Sequence, residues 1–180
     1  LRAFIHFLRD CNLIDRNKKF TELFWTLKNI FNKEGIDSKA LWGVIWTNLC
    51  FNSPLFRWWA SVPDGYYTRD DVIDLLASSY GKMNRCIVNG YSSIFETLER
   101  SPIGEFFGQG VVRRNGRSRS VHKEKNGPSV PCILILYNLY RLAEETGEYK
   151  INIRSLENIP CSPQRIFNIT SKNIESILGT

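Results

Sequence analysis

TRDDVIDLLASSYGKMNRCIVNGYSSIFETLER, residues 68–100, reads as two helices joined by a tight turn. Thr68 and Asp71 have capping-box spacing, with Asp at the reciprocal position where Glu or Gln is usual. Val72, Ile73, Leu75, Leu76 and Tyr80 then carry a helix to a stop at Gly81. Lys82 and Met83 make the turn, Asn84 is a good N-cap, and Ile87, Val88, Tyr91, Ile94, Phe95 and Leu98 form the buried stripe of the second helix. Ser101-Pro102 ends it. Gly104, Gly108 and Gly110 read as a flexible approach to the next element, because their spacing does not fit a phosphate-binding glycine loop.

That next element is basic. Between Val111 and Gly127 stand Arg113, Arg114, Arg117, Arg119, Lys123 and Lys125 against one acid, Glu124, a net charge of +5 in a chain that totals +6. Everything outside the stretch sums to +1, so the positive charge reads as focused. Asn115-Gly116 within it is a hairpin signal, since both central residues of a type I′ turn need positive φ. Helix, turn, helix and basic hairpin follow in the order of a helix-turn-helix with a wing. Guanidinium groups near a hairpin tip suit bidentate phosphate contacts, which makes duplex DNA the expected partner. Five or six such contacts predict a slope of log affinity against log salt of roughly −4 to −5. On the second helix, the face opposite the stripe presents Arg85, Asn89 and Ser92, residue types that contact guanine, adenine and phosphate. The bland readings are a solvated basic loop and a purely structural helix pair.

Outward from this centre the chain is helical. Phe4, Phe7 and Leu8 give one apolar face, and Phe20, Leu23, Phe24, Leu27, Ile30 and Phe31 give a second up to Glu34-Gly35. Ser38 caps a third helix lined by Leu41, Trp42, Ile45, Trp46 and Leu49. Trp58 and Trp59 are adjacent and cannot both face one core, so one is expected at a subdomain contact or a partner surface. Beyond the hairpin, Pro131 opens a helix whose near-continuous apolar run, Ile133, Leu134, Leu136, Tyr137, Tyr140 and Leu142, suggests a central position ending at Gly147. Residues 150–154 alternate as a short strand, Ser162-Pro163 opens one more helical turn, and Ser171 caps a last helix carrying Ile174, Ile177 and Leu178. The expected fold is mainly α with a minor β part, divided into a helical subdomain at 1–66, the winged helix-turn-helix at 67–127 and a helical segment at 128–180 packing on the same core.

With 180 residues and 43% hydrophobic content, the chain can bury a sizeable core. Its five cysteines are odd in number and form no C-x-x-C pair, which fits reduced thiols and a cytoplasmic location, with Cys50 and Cys132 as small buried hydrophobes. No run approaches the roughly 20 apolar residues that span a bilayer, and no signal peptide is read. Leu1 in place of Met suggests a piece of a longer protein. His6 and His122 are the only imidazoles, and neither has a second ligand at metal spacing. No catalytic residue, metal or cofactor is therefore expected. The remaining enzyme reading would need His122 beside a cysteine such as Cys161.

LCFNSPLFRWW (49–59), SPIGE (101–105), ILYNLYRLAE (135–144) and SPQRIF (162–167) together resemble a family of bacterial domains found with, or fused to, phosphoadenosine-phosphosulfate-reductase-like proteins. Such proteins often occur near DNA-modification and phage-defence genes, so the resemblance implies a DNA-related accessory role. It carries no catalytic residues over, and the Ser-Gly-Gly-x-Asp-Ser pyrophosphate loop of the reductase-like part has no counterpart here. The function expected is a non-catalytic DNA-binding accessory domain. The alternative is a protein-interaction module that docks a neighbouring catalytic domain through the exposed member of Trp58-Trp59 and the 84–100 helix.

Overall fold

The computed structural model describes residues 2–81, 85–116, 118–125 and 129–179, with Arg85 described by its backbone. The Asn84 cap, the Lys82-Met83 turn and Arg117 lie outside the described residues. In chain order the elements are α1 Arg2–Asp10, α2 Glu22–Glu34, α3 Lys39–Asn52, α4 Pro54–Ser61, β1 Gly65–Thr68, α5 Arg69–Tyr80, α6 Arg85–Arg100, α7 Ile103–Phe106, β2 Val111–Asn115 and β3 Ser118–Lys123. They are followed by α8 Cys132–Thr146, a 3-10 helix Ile153–Asn158, α9 Pro163–Ile166 and α10 Ser171–Leu178. The chain is mainly helical, with a small antiparallel sheet in the order β1-β3-β2.

Local chemistry starts these helices. The Thr68 hydroxyl accepts from Asp71 N–H at 3.3 Å and the Asp71 carboxylate accepts from Thr68 N–H at 2.8 Å, so the capping box opens α5. Ser38 caps α3 through Leu41 N–H at 3.1 Å. At α10 the cap is Thr170, not Ser171, because Asn173 three residues on completes a second box that Ser171 has no partner to form. Residues 150–154 form no strand. Asn152 instead accepts from Arg154 N–H at 3.0 Å and starts the 3-10 helix, leaving Ile151 and Ile153 packed on the core.

One hydrophobic cluster draws on all three stretches of the chain. Two buried tryptophans tie it together, Trp46 donating to the Ile166 carbonyl at 2.8 Å and Trp59 to the Gln109 carbonyl at 2.9 Å. Trp58 is half-buried and donates to Ser79 Oγ at 2.9 Å, so the tryptophan pair divides between core and the α4–α5 contact. Residue 66, the expected end of the first subdomain, falls inside β1. α8 is not central: Leu134, Ile135 and Leu142 are buried, while Ile133, Leu136 and Tyr140 are 62%, 48% and 58% exposed. Cys132 is exposed as well, whereas Cys50 is buried as expected.

The glycines before the hairpin are packed, not loose. A Cβ on Gly104 would lie 2.0 Å from the Gly110 carbonyl oxygen, and Gly110 N–H donates to the Gly104 carbonyl at 3.2 Å with φ at +121°. This close approach seats β2 against α7.

Candidate nucleic-acid interface

β1, which no periodicity announces, sets the geometry of the basic hairpin. It makes β3 the middle strand, with Gly65 opposite Lys123, Tyr66 opposite His122 and Tyr67 opposite Val121. Side chains alternate between the two faces of a strand. Val121 and Lys123 are buried, and Arg119, two residues earlier, shares their face. Ser118, Ser120 and His122 take the other face. On β2, Val112 and Arg114 are opposite Val121 and Arg119, while Arg113 is opposite Ser120 on the outer face. The hairpin register also differs from a turn centred on Asn115-Gly116. Asn115 pairs with Ser118 as the last strand pair, so Asn115 belongs to β2 and Gly116, at φ +59°, lies beyond it.

Alternation thus sorts the basic residues into different chemistries. Lys123, expected as an exposed source of electrostatic reach, is 1% exposed. Its ammonium donates to the carbonyls of Trp59 at 2.8 Å, Ala60 at 3.2 Å and Val62 at 2.8 Å, and sits 5.4 Å from the Trp59 ring. These carbonyls end α4, where a helix leaves acceptors unpaired and favours a cation. Lys123 is therefore a buried C-terminal cap. Burial pushes its pKa down to about 7, with Asp64 acting in the opposite sense.

Arg114 and Arg119 stand directly opposite each other on the inner face, an arrangement that repels unless neutralised. Glu99 on the last turn of α6 neutralises it. Arg114 grips the Glu99 carboxylate through Nε and, at 2.8 Å, through Nη2, while Arg119 Nη1 lies 3.6 Å from it. The Arg114 hydrogen bond, reinforced by the charges of Arg114, Arg119 and Arg100, holds the Glu99 carboxyl below its ordinary pKa. Arg119 also lies 5.7 Å from the Tyr91 ring and 5.9 Å from the Phe95 ring, so packing fixes it in place. Arg113 and Lys125 are exposed and, among the described residues, in no ion pair.

On α6, Ile87, Tyr91, Ile94, Phe95 and Leu98 are buried as the stripe requires, while Val88 is partly exposed. Asn89 is exposed and Ser92 is half-buried. Arg117 and the side chain of Arg85 lie outside the described residues. Nothing in residue spacing marks Glu99, since its role depends on which face of the hairpin meets α6.

Among the described residues no group of three or more His, Cys, Asp and Glu side chains is placed to hold a metal ion, and no helix is long and apolar enough to cross a membrane. His122 lies between Tyr66 and Val111 on the sheet, whereas buried Cys161 directs its thiol to the Cys50 carbonyl at 3.2 Å. Comparison with family models, with curated proteins and with solved structures returned no match.

Proposed function

We propose that residues 54–123 form a winged helix and that the chain is a non-catalytic module binding duplex DNA, the accessory portion of a larger DNA-modification or defence protein. One observation carries this reading: a strand precedes the α5–α6 helix pair, the basic hairpin follows it, and the strands join in the order β1-β3-β2 around β3. The resemblance to domains that accompany phosphoadenosine-phosphosulfate-reductase-like proteins supports the accessory role. Arg113, Arg117 and Lys125 contact phosphates. Arg114 joins them from its ion pair with Glu99, Arg119 orients Glu99, and Arg85, Asn89 and Ser92 approach base edges. Lys123 belongs to the core.

With roughly four phosphate contacts, log affinity should fall against log salt with a slope of about −3 to −4. Fluorescence anisotropy of a labelled duplex measures this. Arg113→Ala with Lys125→Ala should lower affinity for every sequence and flatten the slope by about 2, whereas Asn89→Ala should shift preference between sequences. No duplex binding by the folded chain at low salt would sink the reading.

A second reading has its own support. Ile133, Leu136 and Tyr140, three and then four residues apart, form an exposed apolar stripe on α8 of the kind that docks a partner. This surface replaces Trp58, which is bonded to Ser79, as the contact of a protein-interaction module. A partner complex that survives high salt and is lost on Leu136→Glu would favour it.

A further inference from the structure

Residues 14–20 form a tight hairpin between α1 and α2. Ile14 and Phe20 make an antiparallel bridge, Lys18 N–H donates to the Asp15 carbonyl at 3.1 Å, and Asp15 N–H donates to the Lys19 carbonyl at 2.9 Å. The Asp15 carboxylate accepts from Lys19 N–H at 2.9 Å, and Arg9 donates to the Arg16 carbonyl at 3.1 Å. Lys18 takes φ +63°, the left-handed position that such a three-residue loop ordinarily gives to glycine. The turn is thus fixed, and it holds a lysine where glycine would be less strained.

Arg16, Lys18 and Lys19 are exposed and, among the described residues, in no ion pair. Next to them the Phe20 ring stacks on Phe24 with centroids 4.0 Å apart and planes at 18°, and Trp25 meets both rings edge-on. Phe20 and Trp25 remain 55% and 51% exposed, and Lys28 lies 5.1 Å from the Trp25 ring. Residues 1–33 carry seven basic side chains against three acids, a net +4. Positive charge therefore has a second centre, one that the overall sum conceals because the 34–110 stretch is net acidic.

We propose that this turn is a second nucleic-acid site, specific for single strands. Arg16, Lys18 and Lys19 take the phosphates while one base extends the Phe20–Phe24 stack and the next lies on the exposed Trp25 ring. The chemistry is that of single-strand recognition, in which cations track the backbone and an aromatic face accepts any base. An anionic membrane would also attract aromatic and basic groups. The half-exposed ring at the end of a parallel stack, directly after three cations, favours a planar base over an acyl chain. The site goes beyond the duplex reading and does not depend on it.

The test is anisotropy of a labelled oligothymidylate of about 12 nucleotides, with the intact chain at about 50 mM salt. Trp25→Ser should weaken binding about tenfold with the circular-dichroism melt retained. Lys18→Gly separates site from fold: it relieves the left-handed strain, so Tm should rise by about 2–5 °C while affinity falls several-fold. Arg113→Ala with Lys125→Ala should weaken duplex binding far more than oligothymidylate binding, so either site can fail without the other. The proposal is overturned if the folded chain does not bind the oligonucleotide, if Trp25→Ser and Lys18→Gly leave its affinity unchanged, or if the chain binds phosphatidylglycerol vesicles in its place.

Discussion

The hairpin of residues 111–123 holds more positive charge than the turn of residues 14–20, yet the turn is the barer of the two. In the hairpin, strand alternation points Lys123 into the core and Arg114 and Arg119 at Glu99, leaving Arg113 facing outward. In the turn, Arg16, Lys18 and Lys19 stand on a loop with no strand face to bury them. Charge density along a chain is therefore a poor measure of charge offered to a ligand. What matters is the number of cations left after the fold has used the rest.

The largest expected effect concerns the seat of the hairpin. Gly104→Ala would place a methyl group into the Gly110 carbonyl, and because backbone on both sides must move, a loss of about 3 kcal/mol is expected in urea unfolding. The same substitution should leave the turn at 14–20 and its single-strand affinity little changed, under conditions where the chain remains folded.

Lys123 sharpens the contrast between a buried and a bare lysine. Its folded pKa of about 7 lies below its ordinary 10.5, so between those values the unfolded chain holds more protons than the folded one, and stability rises with pH. The full cost of burying the charge is felt below about pH 7 and is gone above the unfolded value. Measured against Lys123→Met, the wild type should gain about 2–3 kcal/mol between pH 7 and pH 9. A flat difference would show that the three carbonyls keep the ammonium charged throughout.

Glu99→Gln tests whether the hairpin can be made as bare as the turn. Removing the carboxylate releases Arg114 and Arg119, so duplex affinity should rise about five- to tenfold at low salt, with the gain shrinking as salt is added. Unchanged affinity would mean that neither arginine meets DNA. The smallest effect is expected at Asp15→Ala, which loses the bond to Lys19 N–H and should cost about 0.5–1 kcal/mol. Oligothymidylate binding should weaken with it, because the turn then no longer holds its cations in place.

Much of the fold can be read along the chain. The capping box at Thr68, the cap at Ser38, the stop at Gly147 and most of the stripe on α6 are set by neighbours three or four residues away, the range over which helix chemistry acts. The hairpin too follows from its glycine and the residues around it, although its register shifts by one. Where local pattern misleads, the deciding partner is distant in sequence. The apolar run of α8 reads as central, yet among the described residues no element covers Ile133, Leu136 and Tyr140. Likewise, the glycines at 104 and 110 read as slack until their backbones are seen in contact.

For the candidate interface the balance is reversed. Residue order alone supplied the cations, the helix pair and the hairpin. Only the tertiary structure decided that β1 joins β3, and with it which face of the sheet turns inward. That choice makes Lys123 a cap for α4, makes Glu99 the counter-ion of Arg114 and Arg119, and leaves Arg113 in solvent. The physical reason is that helix caps and turns are short-range equilibria, whereas the desolvation and pairing of a charge depend on whatever the rest of the chain brings beside it.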